Sequence, residues 1–255
     1  MWCYNYFVKR VQVLLSGIRH KDLFFFRQEV HMTRTRLAER KLPDYTKGEE
    51  ITNMVTHITG GAFGIVALVL CVVFSAIKRD AFLVVGSAIY GTSLILLYTM
   101  SSVYHGLRPN MGKKVMQVID HCTIYFLIGG TYTPIVIGGI RKVDPIVSWI
   151  VFGVVWAACI TAAVFTAIDL KKYEILSMTC YIGAGWSIVF ALKPTLKALT
   201  PGGFLWVLAG GIAYTVGAVL YGIGKKHRYM HSVFHGFVLL GSAFQFIGVF
   251  VYLIL

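Results

Sequence analysis

Charge is scarce in this chain. Only 14% of its 255 residues are Asp, Glu, Lys or Arg, against about 25% in an average soluble domain. Acidic residues are scarcer still: 11 Asp and Glu stand against 24 Lys and Arg, a formal net charge of +13. The five cysteines form no CxxC pair, and their odd number argues against a disulfide framework or a zinc ribbon. There is no P-loop, no GxSxG elbow, no HExxH and no EF-hand loop. Alternating segments of roughly ten residues, the mark of a β-barrel, are missing. No repeat of roughly 20–50 residues stands out. What abounds is apolar surface, with 57% hydrophobic residues and a mean hydropathy of +0.71. A soluble chain of this length cannot bury that much. Soluble globular, disordered and coiled-coil readings are excluded, and the bilayer is the solvent.

Seven apolar runs are long enough to cross a hydrocarbon core of about 30 Å at about 1.5 Å per residue. They cover 52–77, 81–107, 114–140, 146–168, 175–192, 201–223 and 230–254, and short basic or Pro-containing gaps separate them. This spacing predicts an all-α integral membrane protein, a seven-transmembrane helix bundle, multi-pass in the cell membrane. Six helices is the alternative count, because Gly183 and Gly185 interrupt the fifth run and Lys193 ends it early. Lys and Arg near membrane ends favour the cytoplasmic side. With seven spans, the 2–3, 4–5 and 6–7 loops carry about eight of them and the twenty residues before the first span about five. The opposite side carries about six. The N-terminus is therefore expected in the cytoplasm and Leu255 outside. The positive charge suits anionic headgroups and calls for no nucleic-acid partner.

Two regions are expected: a basic amphipathic tail over 1–50 and the membrane domain over 51–255. In the tail, Phe7, Val8, Val11, Leu14, Leu15 and Ile18 recur at helical spacing, with Leu23-Phe24-Phe25-Phe26 following. Two readings stand for it, a helix lying in the interface plane or a poorly ordered tail. No cleavable signal peptide is legible, so the first span is expected to act as the insertion signal. Cysteines 71, 122, 159 and 180 read as small apolar residues inside helices. Gly60 and Gly64 form a GxxxG, a close-packing signal in membrane helices.

Ionisable groups inside a span cost roughly 2.5–3.5 kcal/mol each on insertion scales, so each needs a reason. His57 lies early in the first span. Ser101 and His105 end the second, Asp120 and His121 begin the third, and His231 and His235 begin the seventh. Under the expected topology these positions share one layer near the cytoplasmic boundary, where a polar cluster can satisfy itself. Asp80, Asp144, Asp169 and Glu174 flank loops and read as solvated. His231 and His235 stand at i, i+4, so both rings leave one helix face. With His105 they make three nitrogens for one metal, the common catalytic zinc arrangement with a water in the open position. Asp120 is placed to accept a hydrogen bond or a proton from that water, and Ser101 to orient it. His57 is either a neighbour of the ligand set or a hydrogen-bonded helix-packing residue. His121 points away from Asp120's direction and His227 reads as a loop residue. Haem is disfavoured, because two histidines at i, i+4 cannot be opposite axial ligands.

At these residues the chain resembles the hemolysin III family of the progestin and adipoQ receptor superfamily. Glu50-Ile-Thr-Asn53-Met-Val-Thr56-His57 is similar to the family's opening motif. Ser101-x3-His105, Asp120 in Val-Ile-Asp-His, and His231-x3-His235 are similar to its later ones, and Gly130-Thr131-Tyr132-Thr133-Pro134 to its third-helix ending. The resemblance runs over about residues 45–255. It implies seven helices, a cytoplasmic N-terminus, and Zn2+ held by His105, His231 and His235 beside Asp120 and Ser101. The same five positions recur in alkaline ceramidases, which makes hydrolysis of a lipid amide or ester at the cytoplasmic leaflet one expectation, with membrane lipids as substrate or ligand. A non-catalytic membrane sensor or homeostasis factor with structural zinc is the other. The family name also implies cytolysis, although no amphipathic pore-forming hairpin is visible. Oligomeric state is not legible.

Overall fold

The computed structural model describes residues 35–224 and 227–255. The tail helix read over residues 7–18, together with Cys3, His20 and His31, lies outside them. After a short 3-10 turn at Leu37–Glu39, every element is helical, and among the described residues there is no strand.

The first four long helices start where a side chain can accept their orphan N–H groups. Helix α1 (Lys47–Ile77) opens on a reciprocal cap. The Glu49 amide donates to Thr46 Oγ1 at 3.2 Å, and the Thr46 amide donates to Glu49 Oε2 at 2.8 Å. Asp80 caps α2 (Ala81–Gly106), Asn110 caps α3 (Met111–Thr133), and Asp144 caps α4 (Pro145–Ile168), which also has Pro at its first turn. Helix α3 does not stop at Pro134. It widens into a π-helical stretch, Pro134–Ile140, all seven residues of which are buried, and ends in the turn Arg141–Val143. Helix α5 (Glu174–Trp186) runs through a 3-10 segment, Ser187–Ala191, into α6 (Leu192–Gly224). Helix α7 (Met230–Val249) closes in a second π-helical turn, Phe250–Ile254.

Six helical stretches among the described residues are long and apolar enough to cross a membrane. The fifth, Glu174–Gly224, has 51 residues, more than twice what a core of about 30 Å requires. It is not straight. Thr200 leaves helical geometry altogether, with φ 59° and ψ 165°, and Pro201 follows it. A softer break falls at Gly185–Ile188, where the Tyr132 hydroxyl bridges the opening: it donates to Gly185 O and accepts from the Ile188 amide, both at 2.8 Å.

Small residues let the helices approach. The buried face of α1 reads Glu49, Asn53, His57, Gly60, Gly64, Ala67, Cys71 and Ser75, steps of three and four. A Cβ on Gly60 would meet the Tyr98 ring at 2.4 Å, and one on Gly64 would meet α2 backbone at 3.2 Å. Gly210 and Gly217 do the same for α6 against α7, and Gly203 for α6 against Tyr252 of the final π-helical turn. The reverse faces carry Ile58, Ile65 and Val69 of α1, and Ile150 and Val154 of α4, exposed as a lipid-facing surface requires.

Two expectations change here. Asp169 was read as solvated, yet it is 1% exposed. Its Oδ1 accepts the backbone N–H groups of Lys171 and Lys172, both at 3.2 Å, so the carboxylate is folded into the turn after α4. Asp80 is also mostly enclosed, paired with Lys142 Nζ at 2.6 Å.

Candidate metal centre

The first turns of α1, α3 and α7 and the last turn of α2 meet at one end of the bundle. His105, His231 and His235 converge there, each offering one nitrogen, all three within 4.8 Å of one another. His231 Nε2 lies 3.3 Å from His105 Nε2 and 3.1 Å from His235 Nε2. Helix geometry makes this possible: i, i+4 rings leave α7 on one face, and His105 reaches them from the last turn of α2.

Helix α1 backs the rings. His105 Nδ1 lies 2.6 Å from Glu50 Oε2, and Lys113 Nζ of α3 donates to Glu50 Oε1 at 2.6 Å. His235 Nδ1 lies 3.4 Å from the Asn53 carbonyl, and Ser232 Oγ donates to Asn53 Oδ1 at 2.6 Å. Tyr45, just ahead of α1, stacks on His231 with ring centroids 5.1 Å apart and planes 14° from parallel. Burial holds the Tyr45 hydroxyl above its ordinary pKa, with neighbouring Tyr221 and Tyr104 adding to the effect, so it stays neutral over the rings.

The donor set fits a divalent ion. Tetrahedral sites with metal–nitrogen bonds near 2.0–2.1 Å place ligand nitrogens about 3.3–3.4 Å apart, close to the spacings found. Three imidazole nitrogens turned toward each other can offer their lone pairs to one cation. His231 Nδ1 is buried without a hydrogen-bond partner, so the ring's polar contacts all lie on the Nε2 side, toward His105 and His235.

Beside the rings lies a cavity of about 170 Å³, lined by His231, His235, His57, Ser101 and Asp120 and walled further in by apolar and aromatic groups such as Ile128, Trp186 and Tyr214. Asp120 is 13% exposed at its side chain and interacts with His105, His121 and Ser101. Ser101 Oγ is buried beside the Asp120 carboxyl, without reaching full hydrogen-bond geometry to any group. A hydroxyl and a carboxylate thus face the space next to three imidazoles.

The structure gathers His57, Ser101, His105, Asp120, His231 and His235 around one centre. His57 stacks on His235 and lines the cavity, but neither of its nitrogens makes the hydrogen bond expected of a packing histidine. His121 also lines the cavity, but its Nδ1 lies 2.7 Å from Gln117 O and it is not in the converging set. His227 is exposed. Glu50, Asn53, Lys113 and Tyr45 received no role from sequence reasoning. For Glu50 and Asn53 the signal was present: two polar residues at i, i+3, one turn ahead of His57 on a membrane helix.

A multi-pass helical membrane protein with a three-histidine centre beside an internal cavity is the class these features define. The family described as Haemolysin-III related matches residues 45–246. The chain belongs to that family. It is 36% identical to the Hemolysin-3 homolog of Bacillus subtilis (strain 168), over 82% of this chain and 96% of the relative. Identity to Hemolysin-3 of Bacillus cereus is also 36%, over 81% of this chain and 92% of the relative. The Monocyte to macrophage differentiation factor of Homo sapiens is 27% identical, over 80% of this chain and 84% of the relative. No solved structure matches it.

Proposed function

We propose that this protein is a zinc-dependent hydrolase acting on an amide or ester bond of a membrane lipid, with His105, His231 and His235 as the metal ligands. The observation that carries the reading is the carboxylate of Asp120 and the hydroxyl of Ser101 lining one apolar cavity beside three converging imidazoles. When bound, zinc supplies a Lewis acid that polarises a carbonyl and acidifies water.

The chain's own residues do the rest. The apolar wall takes the acyl chain out of bulk lipid and excludes water from the reacting bond. Ser101 Oγ donates to the polar end of the substrate. Asp120 takes a proton from the attacking water and passes it to the departing amine or alcohol. The C–O bond to water forms, the C–N or C–O bond to the leaving group breaks, and a fatty acid and a neutral amine or alcohol result.

The topology belongs to the same reading. Thr200 and Pro201 divide the 51-residue stretch into two passes, giving seven spans with the N-terminus inside, Leu255 outside and the metal centre at the cytoplasmic leaflet, as the distribution of Lys and Arg favours. The test is release of fatty acid from a lipid amide by purified protein. Turnover should stop on zinc removal and return on zinc addition. Equal turnover in wild type and Asp120→Ala removes Asp120 from the mechanism.

A further inference from the structure

His105 receives two opposite instructions at Nδ1. Glu50 Oε2 lies 2.6 Å away, and Asn53 Nδ2 lies 3.5 Å away. An ionised carboxylate only accepts, whereas an amide nitrogen only donates. Glu50 therefore asks for a proton on Nδ1, which leaves Nε2 with a bare lone pair. Asn53 asks for a lone pair on Nδ1, which places the proton on Nε2 and closes that nitrogen to a metal. The Asn53 amide is held in this orientation, because its Oδ1 accepts the Ser232 hydroxyl at 2.6 Å. Glu50 is held too. Lys113, buried among these residues, donates to Glu50 Oε1 at 2.6 Å and to the Leu107 carbonyl at 2.9 Å. The shorter, charge-assisted contact outweighs the longer neutral one.

We propose that Glu50, pinned by Lys113, is the positioning residue that selects the Nδ1–H form of His105 and so presents the Nε2 lone pair to the metal, with Asn53 as the competing donor. The proposal rests on the metal reading of the three histidines but not on hydrolysis. It assigns α1, which contributes no ligand, the task of deciding whether the centre can bind. Glu50→Gln removes the acceptor-only group. An amide can face Nδ1 with either end, so Asn53 then decides, and the proton moves to Nε2. Outer partners of this kind typically change metal affinity by 10–100-fold. Glu50→Asp keeps an acceptor-only carboxylate and should restore most of the affinity.

The experiment uses the full chain in nanodiscs, metal-free, with 15N-labelled histidine and the His105 signals assigned by their loss in His105→Phe. Zinc affinity is measured in parallel by chelator competition. The expected result is Nδ1–H at His105 in wild type and Glu50→Asp, Nε2–H in Glu50→Gln, and zinc binding about 10–100-fold weaker in Glu50→Gln alone. A wild-type His105 carrying its proton on Nε2 overturns the proposal. So does Glu50→Gln melting at lower temperature with tautomer and zinc affinity unchanged, the outcome of a purely structural role. If Glu50→Gln does not fold, the wild-type and Glu50→Asp tautomers still decide. Wild type that takes up no zinc defeats the metal reading, while the tautomer measurement continues to judge Glu50.

Discussion

The imidazole of His57 lies face to face with that of His235, ring centroids 3.7 Å apart and planes 12° from parallel. Tyr98 closes the other side edge-on at 5.1 Å. Neither nitrogen of His57 has a hydrogen-bond partner, so this ring acts as a flat wall behind a candidate ligand. His57→Phe keeps the wall and should leave zinc affinity within about threefold of wild type. His57→Ala removes it and should weaken zinc binding by about tenfold, by freeing the His235 ring. Chelator competition on both variants checks this. Equal weakening in the two would show that the nitrogens matter rather than the plate.

Gly60 of α1 packs directly against the Tyr98 ring of α2. A methyl group there would meet three atoms of the Tyr98 ring between 2.4 and 2.7 Å. Tyr98 cannot swing aside, because its hydroxyl donates to Ser242 Oγ at 2.7 Å and its ring edge abuts His57. Gly60→Ala should cost about 1–3 kcal/mol through overpacking, read as a lower melting temperature in detergent. Gly153→Ala is the control, since nothing lies within 4 Å of the added carbon. Similar losses at both positions would refute the packing account.

Asp80, at the start of α2, supplies a pH dependence. Burial pushes its carboxyl pKa up, but the Lys142 hydrogen bond, the Leu83 amide and the Lys142 and Arg141 charges outweigh it and hold the group below the ordinary carboxylate value. The folded state therefore binds this proton less tightly than the unfolded chain, whose value is about 3.9. The stabilisation is complete above that unfolded value and is lost as pH falls through the lower folded one. Melting temperatures of wild type and Asp80→Asn, followed from pH 7 downward, should differ near neutrality and converge in acid. A gap that stays constant across the titration would contradict the assignment.

Much of this arrangement was legible in the chain itself. Hydropathy alone located the six long apolar stretches, because lipid demands long apolar helices, though it divided Glu174–Gly224 into two runs, and the small-residue step from Gly60 to Gly64 foretold a close contact. The histidine layer was legible because charge inside a span is rare enough to count by hand. The role of Lys113 was not. It looks like any basic residue at a membrane boundary, and its partner Glu50 is 63 residues away. Asp169 misled for the opposite reason: a loop carboxylate looks solvated unless one knows that the turn folds back over it. The fifth run stayed ambiguous because Gly183, Gly185 and Lys193 all interrupt it, and only backbone geometry shows that the sharpest break falls later, at Thr200.

The cavity makes its own prediction. Ile128 lines it, away from the imidazoles. Ile128→Trp should fill much of the space and reduce lipid turnover at least tenfold, chiefly through KM, while leaving zinc content unchanged. Full turnover with a filled cavity would place the substrate elsewhere.

The defining property of the centre is an ion held by three imidazoles. Elemental analysis of the purified full chain, set beside His231→Ala prepared identically, tests this most directly. About one zinc per wild-type chain, and near none in the variant, is the expected result. A wild-type protein free of bound metal after purification in zinc-containing buffer, or a variant that carries as much as wild type, would contradict it.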